Sequence, residues 1–166
     1  MSDHDSIQAL FEYAIAAENY AEHIYRRFVQ MFAAEQKVAA FWQRYAAEER
    51  GHASWLEKLL GDLPAEAQQA PANAEMLEAA RHMLKVPLDK ALAQIQTLDD
   101  AYQLAHELEN SEMNTVFGFL MTTFARDAQT AQFVRKQLSE HVARLLNHFP
   151  DPFTSALNRR SVQAIP

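Results

Sequence analysis

Apolar side chains recur every three to four positions through four long stretches of this chain, the spacing of helices that each bury one face. The first predicted helix starts after Asp5 or Ser6 as N-cap and runs to about Phe32, facing inward through Ile7, Phe11, Ala14, Glu18, Ala21, Tyr25, Phe28 and Phe32. The second spans about Glu35 to Leu60 and stops at Gly61; its stripe is Val38, Phe41, Trp42, Tyr45, Glu49, His52, Leu56 and Leu59. Thr97 and Asp100 have the spacing of a capping box and open a third helix reaching about Phe124, with Leu98, Tyr102, Ala105, Glu109, Glu112, Val116 and Leu120 inward. Asp127 caps a fourth that ends before Pro150, lined by Val134, Leu138, His141, Leu145 and Phe149.

Residues 61–96 carry Pro64, Pro71 and Pro87, with short helical pieces expected at 73–84 and 88–96. Two short connections and this long one predict an all-α four-helix bundle with a crossover between its second and third helices. The bundle should occupy residues 1–149 as one domain, followed by a tail at 150–166. A weak internal match sets Phe11, Ala14, Glu18 and Tyr25 against Tyr102, Ala105, Glu109 and Val116, which suggests two related hairpins.

Composition narrows the function. With 166 residues the chain is long enough for one sizeable core, and it has three glycines and no strand pattern bounded by turns. It contains no cysteine, which excludes disulfides, thiolate metal sites and thiol redox chemistry. A net charge of -7 without a basic run argues against nucleic acid and against an anionic membrane surface. No apolar run approaches the roughly 20 residues of a membrane span, and the N-terminus lacks signal-peptide features, so a cytoplasmic location is expected.

The polar interruptions of the stripes are the candidate chemistry. Glu49 and His52 are three apart, which brings their β-carbons to about 5 to 6 Å on one helix face, and Glu109 and Glu112 repeat the spacing. With Glu18 and His141 they come from all four helices, each near the middle of its stripe. An isolated ionised carboxylate in a dry core costs tens of kcal/mol by the Born estimate, against a domain stability of about 5 to 15 kcal/mol. No lysine or arginine lies on these stripes, so bound cations are the natural counter-charge. Two divalent ions would balance Glu18, Glu49, Glu109 and Glu112, with His52 and His141 as neutral ligands. Oxygen-rich ligation with two imidazoles suits iron or manganese.

In order and spacing, Glu18 with Tyr25, the E-x-x-H of Glu49 and His52, and the E-x-x-E of Glu109 and Glu112 resemble the rubrerythrin-like diiron-carboxylate proteins of the ferritin-like superfamily. The resemblance covers residues 6–149 and implies a two-iron site, with Glu49 bridging, Glu18 and Glu109 terminal, and His52 and Glu112 available for redox-dependent ligand exchange. It further implies reduction of hydrogen peroxide or activation of oxygen, chemistry of peroxidase or ferroxidase type, with electrons from an external donor.

Two departures stand against that pattern. The family's second E-x-x-H would need a carboxylate three before His141, where this chain has Leu138; Gln137 and Glu140 flank the stripe and serve only if the helix rotates or bulges. The cysteine-rich rubredoxin domain of full rubrerythrins is the other absence. A non-redox bundle with a mononuclear or zinc-occupied site is the alternative, and a metal-free interaction bundle is a third. Tyr25 reads slightly better as core than as a partner of the site. His4, His23, His82, His106 and His148 fall off the stripes and read as surface residues. Met113, Phe117, Phe119, Met121 and Phe124 exceed what one inward stripe needs and point to a homodimer, a contact the tail could join.

Overall fold

The computed structural model describes residues 5–150, with the side chain of Glu112 also outside the description. Eight helices follow in order: α1 (Ile7–Met31), α2 (Gln36–Asp62), α3 (Ala65–Gln69), α4 (Ala74–Met83), α5 (Leu88–Ala93), α6 (Leu98–Glu109), α7 (Glu112–Thr123) and α8 (Ala128–Asn147). The architecture is all-α, a ferritin-like bundle of α1, α2, the α6–α7 pair and α8, with α3 to α5 in the crossover. The ends obey the expected caps. Ser6 accepts from the Ala9 amide, Thr97 and Asp100 close a reciprocal box, and Asp127 accepts from the Thr130 amide.

Ring contacts fix the helix directions. Tyr25 of α1 stacks on Trp42 of α2, while Glu18 lies beside Glu49 and His52, so α1 and α2 are antiparallel. Tyr25 also meets Glu109, and Phe11 meets Phe124, which sets α6–α7 antiparallel to α1. His141 and Phe133 of α8, with Phe149 just past its end, face Tyr45, Trp55 and Phe41 of α2 respectively, so these two also run oppositely. The second and third bundle positions are therefore parallel, which is why a long crossover must join them.

The core is two apolar clusters. One gathers Tyr25, Phe28, Trp42, Tyr45, Tyr102, Leu145 and Phe149; the other gathers Phe11, Leu56, Leu77, Val116, Phe117, Leu120 and Val134. Between them in every long helix falls a polar residue of the stripes: Glu18, Glu49 with His52, Glu109 and His141, all buried.

Three local expectations change. α2 continues through Gly61 to Asp62 and ends where Leu63 turns extended before Pro64; a proline, not the glycine, stops it. The short α3 had no counterpart in the pattern. More consequential, the third helix is not continuous. It breaks at Asn110–Ser111, where the Ser111 hydroxyl donates to the Leu108 carbonyl and accepts from the Met113 amide, and the Asn114 side chain donates to the Glu109 carbonyl. Side chains thus take over the backbone bonds that a continuous helix would make. Glu109 ends α6 and Glu112 begins α7, so the two acids stand on either side of the break and not within the one continuous helix that the pattern predicted.

The apolar surplus of α7 is occupied within the chain. Phe117 and Met121 are buried and Phe119 and Phe124 half-buried in the cluster to which α4 of the crossover, packed on α7, adds Leu77, Ala79 and Ala80, while Met113 is buried in the other cluster. The predicted tail, beyond Pro150, lies outside the described residues, as does His4. His23, His82 and His148 are exposed, while His106 is half-buried against the Tyr102 ring. No helix among the described residues is long and apolar enough to cross a membrane.

Candidate metal centre

The polar layer between the two clusters resolves into two groups of ligand atoms. Glu18, Glu49 and His52 form one and Glu49, Glu109 and His141 the other; within each, one atom per residue lies within 4.8 Å of the others. Glu49 belongs to both, so its two oxygens face different groups. Its Oε2 is 2.9 Å from His52 Nδ1 and its Oε1 is 3.0 Å from His141 Nε2. Glu18 Oε2 stands 3.4 Å from His52 Nδ1, and Glu109 Oε2 2.9 Å from His141 Nε2.

Several of these contacts are close without being hydrogen bonds. Glu18 Oε2, Glu49 Oε1 and His141 Nε2 are buried and have no aligned partner, although each has a polar neighbour at 3.0 to 3.4 Å or nearer. Buried polar atoms are almost always paired. Buried ligand atoms that crowd together in these two groups without bonding one another are what bound cations would satisfy, and the donor set of carboxylate oxygens and imidazoles fits iron.

Around this layer a second set of side chains fixes the ligands. Tyr25 donates to Glu109 Oε1 at 2.5 Å, and Asn114 donates to Glu109 Oε2 at 3.3 Å. Tyr25 is therefore both core and partner of the site, which corrects the preference for core alone. Glu48, half-buried, contacts His141 Nδ1 at 2.5 Å and accepts two bonds from Arg144 Nη1 at 2.7 Å. This leaves Nε2 of His141 directed at Glu49 and Glu109. Carboxylate support of the far nitrogen sets which ring nitrogen can ligate. Tyr45 holds the same segment by donating to the His141 carbonyl at 2.8 Å.

Burial raises the Glu18 carboxyl to about 8, assisted by the neighbouring Glu49 charge and opposed by His52. Burial also resists ionisation of Glu49, but contacts with His141 and His52 outweigh it and hold that carboxyl well below the usual range. One negative charge is thus divided unequally between two adjacent acids. Burial would depress both imidazoles; Glu18 and Glu49 instead lift His52 to about 10, and Glu109, Glu48 and Glu49 lift His141 to about 12. Glu48 falls to about 2 because His141 and Arg144 outweigh its partial burial. Tyr25 is pushed far above the usual phenol range by burial and by the Glu109 charge, so it remains a donor. Counter-charge in the metal-free chain accordingly comes from imidazolium protons and, at the edge, Arg144. A ligating imidazole is neutral, so cations and these protons compete for the same places.

Five of the six sequence-predicted ligands meet here: Glu18, Glu49, His52, Glu109 and His141. Glu112 opens α7 and its side chain lies outside the description. Gln137 and Glu140 are exposed, so neither substitutes for the absent carboxylate, and half-buried Leu138 packs into the apolar cluster with its Cδ2 3.6 Å from where a Cβ on Gly118 would stand.

A family model described as Rubrerythrin matches residues 9–123. The chain belongs to the rubrerythrin family. The match takes in α1 to α7 and with them Glu18, Glu49, His52 and Glu109, while His141 enters from α8 outside the matched span. For a rubrerythrin domain the carboxylate and imidazole groups described above correspond to a diiron-type site. Comparison with curated proteins gives no match, and comparison with solved structures gives none.

Proposed function

We propose that this protein is a diiron oxidoreductase that reduces hydrogen peroxide with electrons from an external donor. Glu18 and His52 would hold one iron and Glu109 and His141 the other, with Glu49, which belongs to both groups, contributing to each. Glu112, three residues after Glu109 at the start of α7, completes the proposed set. The observation that carries this reading is the convergence of Glu18 Oε2, Glu49 Oε1 and His141 Nε2, buried and without aligned partners, in a layer between two dry clusters.

When bound, two ferrous ions supply the two electrons that, with two protons, convert hydrogen peroxide into two waters. The chain's own part is positional. Glu49 ties the two groups together, Tyr25 and Asn114 restrain Glu109, and Glu48 with Arg144 orients His141. The aromatic cluster of Trp42, Tyr45 and Phe149 keeps water from one end of the layer and the Phe117 ring, 4.6 Å from His52, from the other.

Anaerobic titration with ferrous ion, followed by rapid mixing with peroxide, tests the reading. Two irons per chain and oxidation faster than that of free ferrous ion are expected; oxidation no faster than the free ion overturns it. Leu138 favours a second reading, since a single bridging carboxylate offers less negative charge to an oxidised iron pair. A chain that binds one zinc tightly and takes up only one iron would establish that non-redox alternative.

A further inference from the structure

The metal layer is closed along the bundle axis by the two apolar clusters, but not from the side. Between α2 and α8 lies a cavity of about 270 Å³ whose lining includes Arg44, Glu48, Gly51, Gln137 and Arg144 and reaches both His52 and His141. It exists because the two helices meet through side chains: Tyr45 and Glu48 reach across to His141 and Arg144, and Trp55 to Phe133, while the α8 backbone packs on α7. Gly51 stands exposed at its open side, and a Cβ added there would meet nothing within 4 Å.

We infer that this cavity is the passage by which small neutral solutes reach the metals, and that the absent side chain at Gly51 keeps it open. The inference rests on the oxidoreductase reading and adds the route by which its substrate enters. The volume admits a molecule of a few heavy atoms. Two arginines of the wall, Arg44 and Arg144, share Glu48 at 3.0 and 2.7 Å, and Glu140 supplies the second carboxylate of the lining, so the formal charges of these four residues cancel and leave hydrogen-bonding surface without a strong attraction for anions. Hydrogen peroxide fits that description. One wall of the passage is the Glu48–Arg144 pair that orients His141, so an entering solute arrives beside the imidazoles of both ligand groups.

The test fills the passage and leaves the ligands alone. Gly51→Leu places a side chain in open space and favours the helix more than glycine does, so α2 is retained. Gly61→Leu is the matched control: an exposed glycine of the same helix, equally free of neighbours and outside the cavity lining. In the ferrous-loaded chain, Gly51→Leu should slow both nitric oxide association and oxidation by peroxide by about tenfold or more, with iron stoichiometry unchanged, while Gly61→Leu matches the wild type. Nitric oxide association at the wild-type rate in fully loaded Gly51→Leu overturns the passage and leaves the oxidoreductase reading standing. Association that depends on residue 51, without faster peroxide oxidation in the wild type, overturns that reading and leaves the passage.

Discussion

Replacing Glu49 by alanine removes a carboxylate oxygen from both ligand groups at once, whereas Glu18→Ala reaches only one of them. Elemental analysis after anaerobic loading should find iron lost from both positions in the first variant and from one in the second. Equal losses would contradict a shared Glu49. Glu48→Gln keeps the shape of a side chain that touches no metal position but weakens its grip on His141 Nδ1 and Arg144. Loss of such support lowers metal affinity by about 10- to 100-fold, measurable by competition with a chromogenic chelator. The meeting of Glu18, Glu49, His52, Glu109 and His141 was legible, because they are acids and imidazoles that interrupt otherwise apolar stripes. The contacts of Glu48 and Asn114 were not. Glu48 sits one position off its stripe and meets His141 across 93 residues, a pairing that no local spacing announces.

At the scale of the helix, the break at Asn110–Ser111 puts Glu109 at the end of one helix and Glu112 at the start of the next. The hydrophobic period of residues 97–124 runs through the break undisturbed, since Tyr102, Ala105, Val116 and Leu120 are all buried, and periodicity alone therefore reads one helix. Short polar side chains bonding to their own backbone carry the signal instead. Ser111→Ala removes the cap of α7 and should cost about 1 kcal/mol in urea unfolding at neutral pH. The caps at Asp100 and Asp127 make acid sensitivity a property of the elements. Hydrogen bonds from the Gln96 and Thr97 amides lower the Asp100 carboxyl, and bonds from Thr130 lower that of Asp127, from an ordinary value of 3.8. A carboxyl with a depressed folded value stabilises above its unfolded value and loses that contribution as pH falls through the folded one. Urea midpoints should therefore drop below pH 3.8, and Asp127→Asn, which can still cap, should drop less steeply.

For the whole molecule, candidate ligands drawn from α1, α2, α6 and α8 would make metal binding a contribution to folding, because the unfolded chain offers no such site. Saturation at about a hundred times the dissociation constant adds roughly 2.7 kcal/mol, a rise of roughly 5 to 10 °C in Tm for a chain of this size. Calorimetry with ferrous ion and then with chelator should show the rise and its reversal; a Tm indifferent to both identifies the metal-free bundle. The same scale explains the surplus of Met and Phe on α7, which hinted at a partner chain and is covered by α4 of the crossover, a segment whose position the pattern left open. Period, caps and the placing of polar residues on apolar stripes are local properties, and through them the sequence by itself determined the helices, the bundle and five residues of the candidate centre. Tertiary structure alone decided that Glu49 faces two groups, that Glu48 turns His141 toward one of them, and that α2 and α8 stand far enough apart to leave a passage. Those outcomes depend on the distance and rotation between helices remote in the chain, which are set when all their faces pack together.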